Sequence, residues 1–131
     1  VRGAFWKDRE RLRRAAVDLN FLPASASASA ADHLAEMCYL IVEPFEAPGT
    51  EGRNSDWRNE RGEYRWGASD LPKRVAQAAS QASLSISFRV PPKEFLFLHR
   101  KLGGVFVLLA ELNAELDAHP LLRRYMGEPL R

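Results

Sequence analysis

PPKEFLFLHRKLGGVFVLLAEL, residues 91–112, is the stretch that decides the fold class. Proline is tolerated in the first turn of a helix, so Pro91-Pro92 closes whatever precedes and opens a helix. From Pro92 to about Leu116 the apolar residues keep helical spacing. Phe95, Leu98, Leu102, Val105, Phe106, Leu109, Leu112 and Leu116 form one wide stripe at 100° per residue. Arg100, Gly104 and Glu111 point the opposite way, and His99, Gly103 and Ala110 line one border. Two features interrupt this pattern: the cluster His99-Arg100-Lys101 and the pair Gly103-Gly104. Each glycine costs roughly 1 kcal/mol relative to alanine inside a helix. That cost makes sense where a neighbouring helix or loop must approach closely, or where the helix kinks. His99 is expected to be partly buried and hydrogen-bonded, and Arg100 to face an acidic partner on another element.

The rest of the chain agrees with a helical protein. Trp6 to Leu22 reads as a helix with Leu12, Ala15, Ala16 and Leu19 on one face, stopped by Asn20 and Pro23. Ala24 to Ala31 is the low-complexity tract ASASASAA, a linker or the start of the next helix. Ser29 is the expected N-cap of a helix from Ala30 to about Glu43, ended by Pro44. Residues 46–68 read as an irregular loop with a short hairpin around Gly62 and interleaved Trp57, Tyr64 and Trp66. Such a length is unusual for a connection without structure, so the loop is functional or docks on something. Ser69 and Asp70 are expected to cap a third helix with Pro72 in its first turn, running to about Leu84. Ser85 to Val90 alternates and reads as a short extended piece. A last helix, Pro120 to Met126, follows His119. The expected class is all-α with four to five helices, in a single helical region over residues 1–131.

Composition narrows the function classes. The chain has 131 residues, 46% hydrophobic and 27% charged, with a formal net charge of +2. That is the size of one domain with its own core, and too little charge to argue for nucleic acid. The single cysteine, Cys38, excludes an intrachain disulfide and fits a reducing compartment. No signal-peptide pattern opens the chain, because Arg2 to Arg14 is strongly charged. The run Leu102–Ala110 is about half of the roughly 20 residues that span a bilayer. The first residue is valine, so the chain is expected to be a piece of a longer protein.

PPKEFLFLHRKLGG with its following apolar helix and short last helix resembles the C-terminal signature of the UbiB (AarF) family of atypical, protein-kinase-like proteins linked to ubiquinone biosynthesis. The matching residues are Pro91, Pro92, Glu94, Leu98, His99, Arg100, Lys101, Gly103 and Gly104. KDRERLRRAAVDLNFL and DHLAEMCYLIVEPF resemble the family's preceding helices. The likeness is weakest over Thr50 to Gly67, which looks like an insertion. The resemblance implies the C-terminal part of a kinase-like C-lobe. It implies ATP and Mg for the full-length parent, and partners in the rest of the kinase-like domain, an anionic membrane surface or ubiquinone-biosynthesis proteins. It implies a cytoplasmic protein, peripheral at the inner membrane. The family's Lys-x-Gly-Gln and Asp-Phe-Gly motifs are not in these residues, so no catalytic residue and no cofactor-binding or metal ligand is assigned here.

Other sites fail on chemistry. His99-Arg100-Lys101 lacks the aspartate of a kinase His-Arg-Asp loop and the asparagine that follows it. His33, Cys38, His99 and His119 have no metal-ligand spacing. Cys38 sits in an apolar helix end and reads as a buried thiol. Trp57, Tyr64 and Trp66 beside Arg53, Arg58, Arg61 and Arg65 resemble a base-stacking groove, but Glu51, Asp56, Glu60 and Glu63 dilute the charge. The basic run Lys7, Arg9, Arg11, Arg13 and Arg14 is either a solvated face or a patch for anionic lipid. The alternative to a kinase fragment is therefore a free-standing helical module that binds a protein or an anionic membrane through that run.

Overall fold

Capping side chains and left-handed residues set the element boundaries in the computed structural model, which describes residues 2–49, 55–85 and 93–127. The single helix expected over Trp6–Leu22 is divided. Helix α1 spans Arg2–Phe5 and α2 spans Arg9–Asp18. Lys7 between them has φ 54°. Asp8 explains the break: its carboxylate caps α2, accepting from the Arg11 N–H at 2.9 Å. Asn20 ends this unit in the left-handed region at φ 64°.

Helix α3 spans Ala28–Val42. Its N-cap is Ser27, whose Oγ accepts from the Ala30 N–H at 3.2 Å, and not the expected Ser29. Three serines alternate with alanine in the tract, so local chemistry does not choose among them. Starting at Ala28 puts Ala30, Leu34 and Ala35 among the buried residues. Pro44 stops the helix and starts a 3-10 turn over Glu43–Phe45.

The described residues of the 46–68 segment, 46–49 and 55–68, are more ordered than an irregular loop. They hold a 3-10 turn at Ser55–Trp57, a bridge between Arg58 and Tyr64, and strand β1, Tyr64–Arg65. The hairpin around Gly62 is present, with Gly62 at φ 78° and the Asn59 N–H donating to the Glu63 carbonyl at 3.0 Å. Helix α4, Trp66–Ser69, follows directly. Ser69 lies within it and donates to the Trp66 carbonyl at 3.1 Å, so it is not the cap expected for the next helix. Asp70, at φ 49°, turns the chain into α5, Leu71–Ser85. The extended piece expected up to Val90 lies outside the described residues, apart from Ser85.

Helix α6 spans Lys93–Glu111, and Asn113 at φ 48° ends it before the expected Leu116. The chain then forms β2, Glu115–Leu116, antiparallel to β1 with Tyr64 opposite Leu116 and Arg65 opposite Glu115. Helix α7, His119–Met126, closes the described chain. The molecule is mainly α, as expected, and its described residues form more and shorter helices than expected and one two-stranded ribbon.

The deepest part of the core comes from the stretch that looked most like a loop. Tyr64 and Trp66 are buried with Leu40, Leu71 and Phe106. Trp66 packs against Phe106 at 4.9 Å between centroids and against Tyr64 edge-on at 5.4 Å. Burying rings of this size contributes about 1.5–3 kcal/mol each. Gly67 lets α4 reach α6: a Cβ there would collide with the Asn113 Oδ1 and sit 3.2 Å from the Ala110 carbonyl. Two smaller clusters join α3 to α1 and α2, through Ala4, Leu12, Ala35 and Val42, and through Ala16, Leu22, Ala30 and Leu34.

Candidate docking surface

Only part of the wide stripe on α6 is covered. Leu102, Phe106 and Leu109 pack against the Tyr64–Trp66 core. Leu98, Val105 and Leu112, from the same stripe, are exposed, and Leu112 is 67% exposed. They continue into Phe97 and Leu108, which are 62% and 58% exposed. The helix therefore carries two adjacent apolar faces, one buried inside the chain and one open. The open face is continuous along the helix, unlike the scattered surface leucines of ordinary proteins. Leu96 and Val107 are also exposed, on a third side.

The residues of the Leu-His-Arg-Lys-x-Gly-Gly signature sit on this helix. Pro91 and Pro92 lie outside the described residues. Glu94, Leu98, His99, Arg100, Lys101, Gly103 and Gly104 are all exposed. Exposure of His99 corrects the expected partly buried histidine. Among the described residues of α6, the first that packs on the core is Leu102. Among the described residues the close neighbour expected at the glycines is not found: a Cβ at Gly103 or Gly104 meets nothing within 4 Å. Lys101 lies over the Phe97 ring, with Nζ 4.6 Å from the centroid, on the open face itself.

Beneath this surface lies a polar core that sequence reasoning did not find. Glu43 is 3% exposed. Its carboxylate accepts two hydrogen bonds from Arg74, at 2.8 Å each, and one from the Tyr64 hydroxyl at 2.7 Å. The bond to Glu43 raises the Arg74 pKa above its ordinary value. Burial first, and then the acceptor carboxylate, raises the Tyr64 phenol above its own. Arg74 also lies 5.2 Å from the Trp57 ring centre. A second arginine, Arg58, donates to the carbonyls of Gly62 and Glu46 at 2.6 Å each and faces Asp117 at 3.9 Å. Burial lowers its pKa, against the pull of Asp117 and Glu46. These groups tie the 3-10 turn after α3, the 58–64 hairpin and α5 together. The signal available in sequence was a glutamate in the apolar run LIVEPF, since a buried carboxylate demands a partner.

Three of the five cations in the basic run Lys7–Arg14 are paired with carboxylates. Lys7 pairs with Glu46 at 3.2 Å, Arg9 with Asp32 at 2.9 Å and Glu36 at 3.7 Å, and Arg14 with Glu10 at 3.2 Å. Arg11 and Arg13 complete the run, with Arg13 exposed. Tyr64 and Trp66 are core residues, so neither offers a face for base stacking. Burial raises the Cys38 thiol pKa, as expected of an unreactive cysteine. Among the described residues no group of three His, Cys, Asp or Glu is placed to hold a metal ion. No helix among them is long and apolar enough to cross a membrane.

Comparison with known proteins agrees with the resemblance read from the helix signature. The mitochondrial atypical kinase COQ8B of Rattus norvegicus is 30% identical over 123 residues, 94% of this chain and 21% of that protein. The mitochondrial atypical kinase COQ8 of Schizosaccharomyces pombe is 29% identical over 117 residues, 88% of this chain and 17% of that protein. The chain thus spans about a fifth of the length of these curated relatives. No family profile and no solved structure matches it.

Proposed function

This chain is a region of the UbiB family of atypical kinases, and we propose that it is the C-terminal helical part of a kinase-like C-lobe. In that reading residues 1–131 complete a larger domain and support its active site without supplying catalytic groups. The full-length protein would bind ATP with Mg and serve ubiquinone biosynthesis. It would work peripherally at the inner membrane, in line with the mitochondrial relatives. The observation that carries the reading is the open apolar face of α6. The family's Leu-His-Arg-Lys-x-Gly-Gly signature lies on a helix whose second face is exposed at Leu98, Val105, Leu108 and Leu112 among the described residues.

The test compares the isolated chain with a polypeptide extended to the length of the relatives. The extended protein is expected to bind and turn over ATP in the presence of Mg, and to lose solubility and turnover when residues 93–127 are deleted. The isolated chain is expected to do neither. Metal-dependent ATP turnover by the 131 residues alone would refute the proposal. The alternative, a free-standing module that binds anionic membrane through Lys7–Arg14, is weakened by the carboxylates paired with Lys7, Arg9 and Arg14. Salt-sensitive sedimentation with anionic vesicles, abolished by Arg11→Glu with Arg14→Glu, would restore it.

A further inference from the structure

We propose that the groove between α2 and α3 is a binding site for a small linear carboxylate amphiphile, with the chain on its apolar floor and the head on Arg13. The groove holds about 380 Å³ between α2, the connection that follows it and the first two turns of α3. Small-molecule sites occupy roughly 300–1,000 Å³. Its lining takes nothing from α6 or from the polar core around Glu43. The floor is Leu12, Leu22, Leu34 and Ala35, all buried. Ala28 and Ala31 stand on the α3 wall with one methyl group each. Larger side chains there would fill the space between the helices to the usual interior density.

Charge and length select the occupant. Arg9, Glu10, Arg13 and Asp32 are the charged groups of the lining. Arg9 reaches from α2 to Asp32 on α3 at 2.9 Å, and Glu10 pairs with Arg14 at 3.2 Å. Both acids are thus neutralised. Arg13, one turn beyond Arg9, is exposed and has no acidic partner among the described residues. A guanidinium takes a carboxylate in a bidentate pair. One negative charge matches this one cation, whereas a doubly charged phosphate would also feel Glu10 and Asp32. An apolar ligand gains nothing from Arg13, and a short anion gains nothing from the floor. A ligand that uses both has a head and a chain. From Ala28 to Ala35 the α3 wall runs about 10 Å at 1.5 Å per residue. An extended chain of about eight carbons, with bonds of about 1.5 Å, has that length.

The experiment titrates octanoate calorimetrically into the polypeptide extended to the length of the relatives, with no vesicles present. One saturable site is expected. Octanamide, the same chain without the charge, is expected to bind about five-fold more weakly, the factor that one exposed ion pair supplies. Acetate, the same head without the chain, is expected to show no saturable binding. Arg13→Gln is expected to weaken octanoate about five-fold and to leave octanamide unchanged. Arg11→Gln, outside the lining, is expected to change neither. Ala31→Leu is expected to fill the groove and abolish the site. Ala28→Leu, at an exposed position, does the same should Ala31→Leu disturb the helical circular dichroism. Val105→Gln, on the open face of α6, is expected to leave binding intact. Octanamide as tight as octanoate, or Arg13→Gln without effect, would overturn the proposal. So would a site lost in Val105→Gln and kept in Ala28→Leu. The absence of any saturable octanoate site would overturn it too, as when another part of the protein already fills the groove.

Discussion

Glu43→Ala tests whether the polar core holds the hairpin and helices together. The carboxylate is 3% exposed and satisfies two groups at once, the Arg74 guanidinium and the Tyr64 hydroxyl. Removing it leaves a guanidinium whose side chain is 24% exposed and a fully buried hydroxyl without its acceptor. Breaking a buried pair by deleting one partner costs about 3–5 kcal/mol. The orphaned hydroxyl alone accounts for about 1–3 kcal/mol, and the two costs overlap because they share one carboxylate. A loss of about 3–4 kcal/mol is expected, since Arg74 keeps some access to water. At an m-value of about 2 kcal/mol/M in urea, the midpoint falls by about 1.5–2 M. Urea titration followed by circular dichroism and tryptophan fluorescence reads this directly, and coincident curves establish a two-state transition. Glu43→Gln, which keeps an acceptor for Tyr64, is expected to lose less. Arg9→Ala, which removes an exposed pair, is expected to cost about 1 kcal/mol or less. If Glu43→Ala costs no more than Arg9→Ala, the carboxylate does not organise the core and the reasoning fails.

The Tyr64 phenol titrates later in the folded state than its ordinary value of about 10. Above about pH 10 the unfolded chain releases this proton and the folded chain keeps it, so the unfolded state binds fewer protons and stability falls, by up to about 1.4 kcal/mol per pH unit. In a Cys38→Ser background, which removes the thiol's own alkaline contribution, Tyr64→Phe is expected to flatten the decline in urea midpoint between pH 9 and 11. Equal slopes would contradict the burial. Gly67→Ala and Gly104→Ala should move stability in opposite directions. The first drives a methyl into Asn113 and costs about 1–3 kcal/mol. The second adds helix propensity in open space and is expected to gain about 1 kcal/mol in the isolated chain. Thermal unfolding of both variants checks the pair, and destabilisation by Gly104→Ala would show that the face is not open.

By itself the sequence determined the helical class, the stop at Pro44, the turn at Gly62 and the family signature on α6. Each of these is written in local chemistry: a proline without an N–H, a glycine at positive φ, an apolar period of 3.6 residues. Periodicity also marked the α6 stripe as apolar, but not that its halves meet different fates. Coverage depends on which elements arrive from elsewhere in the chain, and here they cover Leu102, Phe106 and Leu109 and leave Leu98, Val105 and Leu112 open. The same holds for residues 46–68. Glycine, asparagine and charge gave that segment the look of a surface loop, yet Tyr64 and Trp66 are at the centre of the core. Arg58 reads as a loop cation until the fold sets it against distant carbonyls, and Arg74 meets Glu43 only in the folded chain. Long-range contacts of this kind leave no local trace, because a polar side chain looks the same in sequence whether its partner is water or a residue 31 positions away.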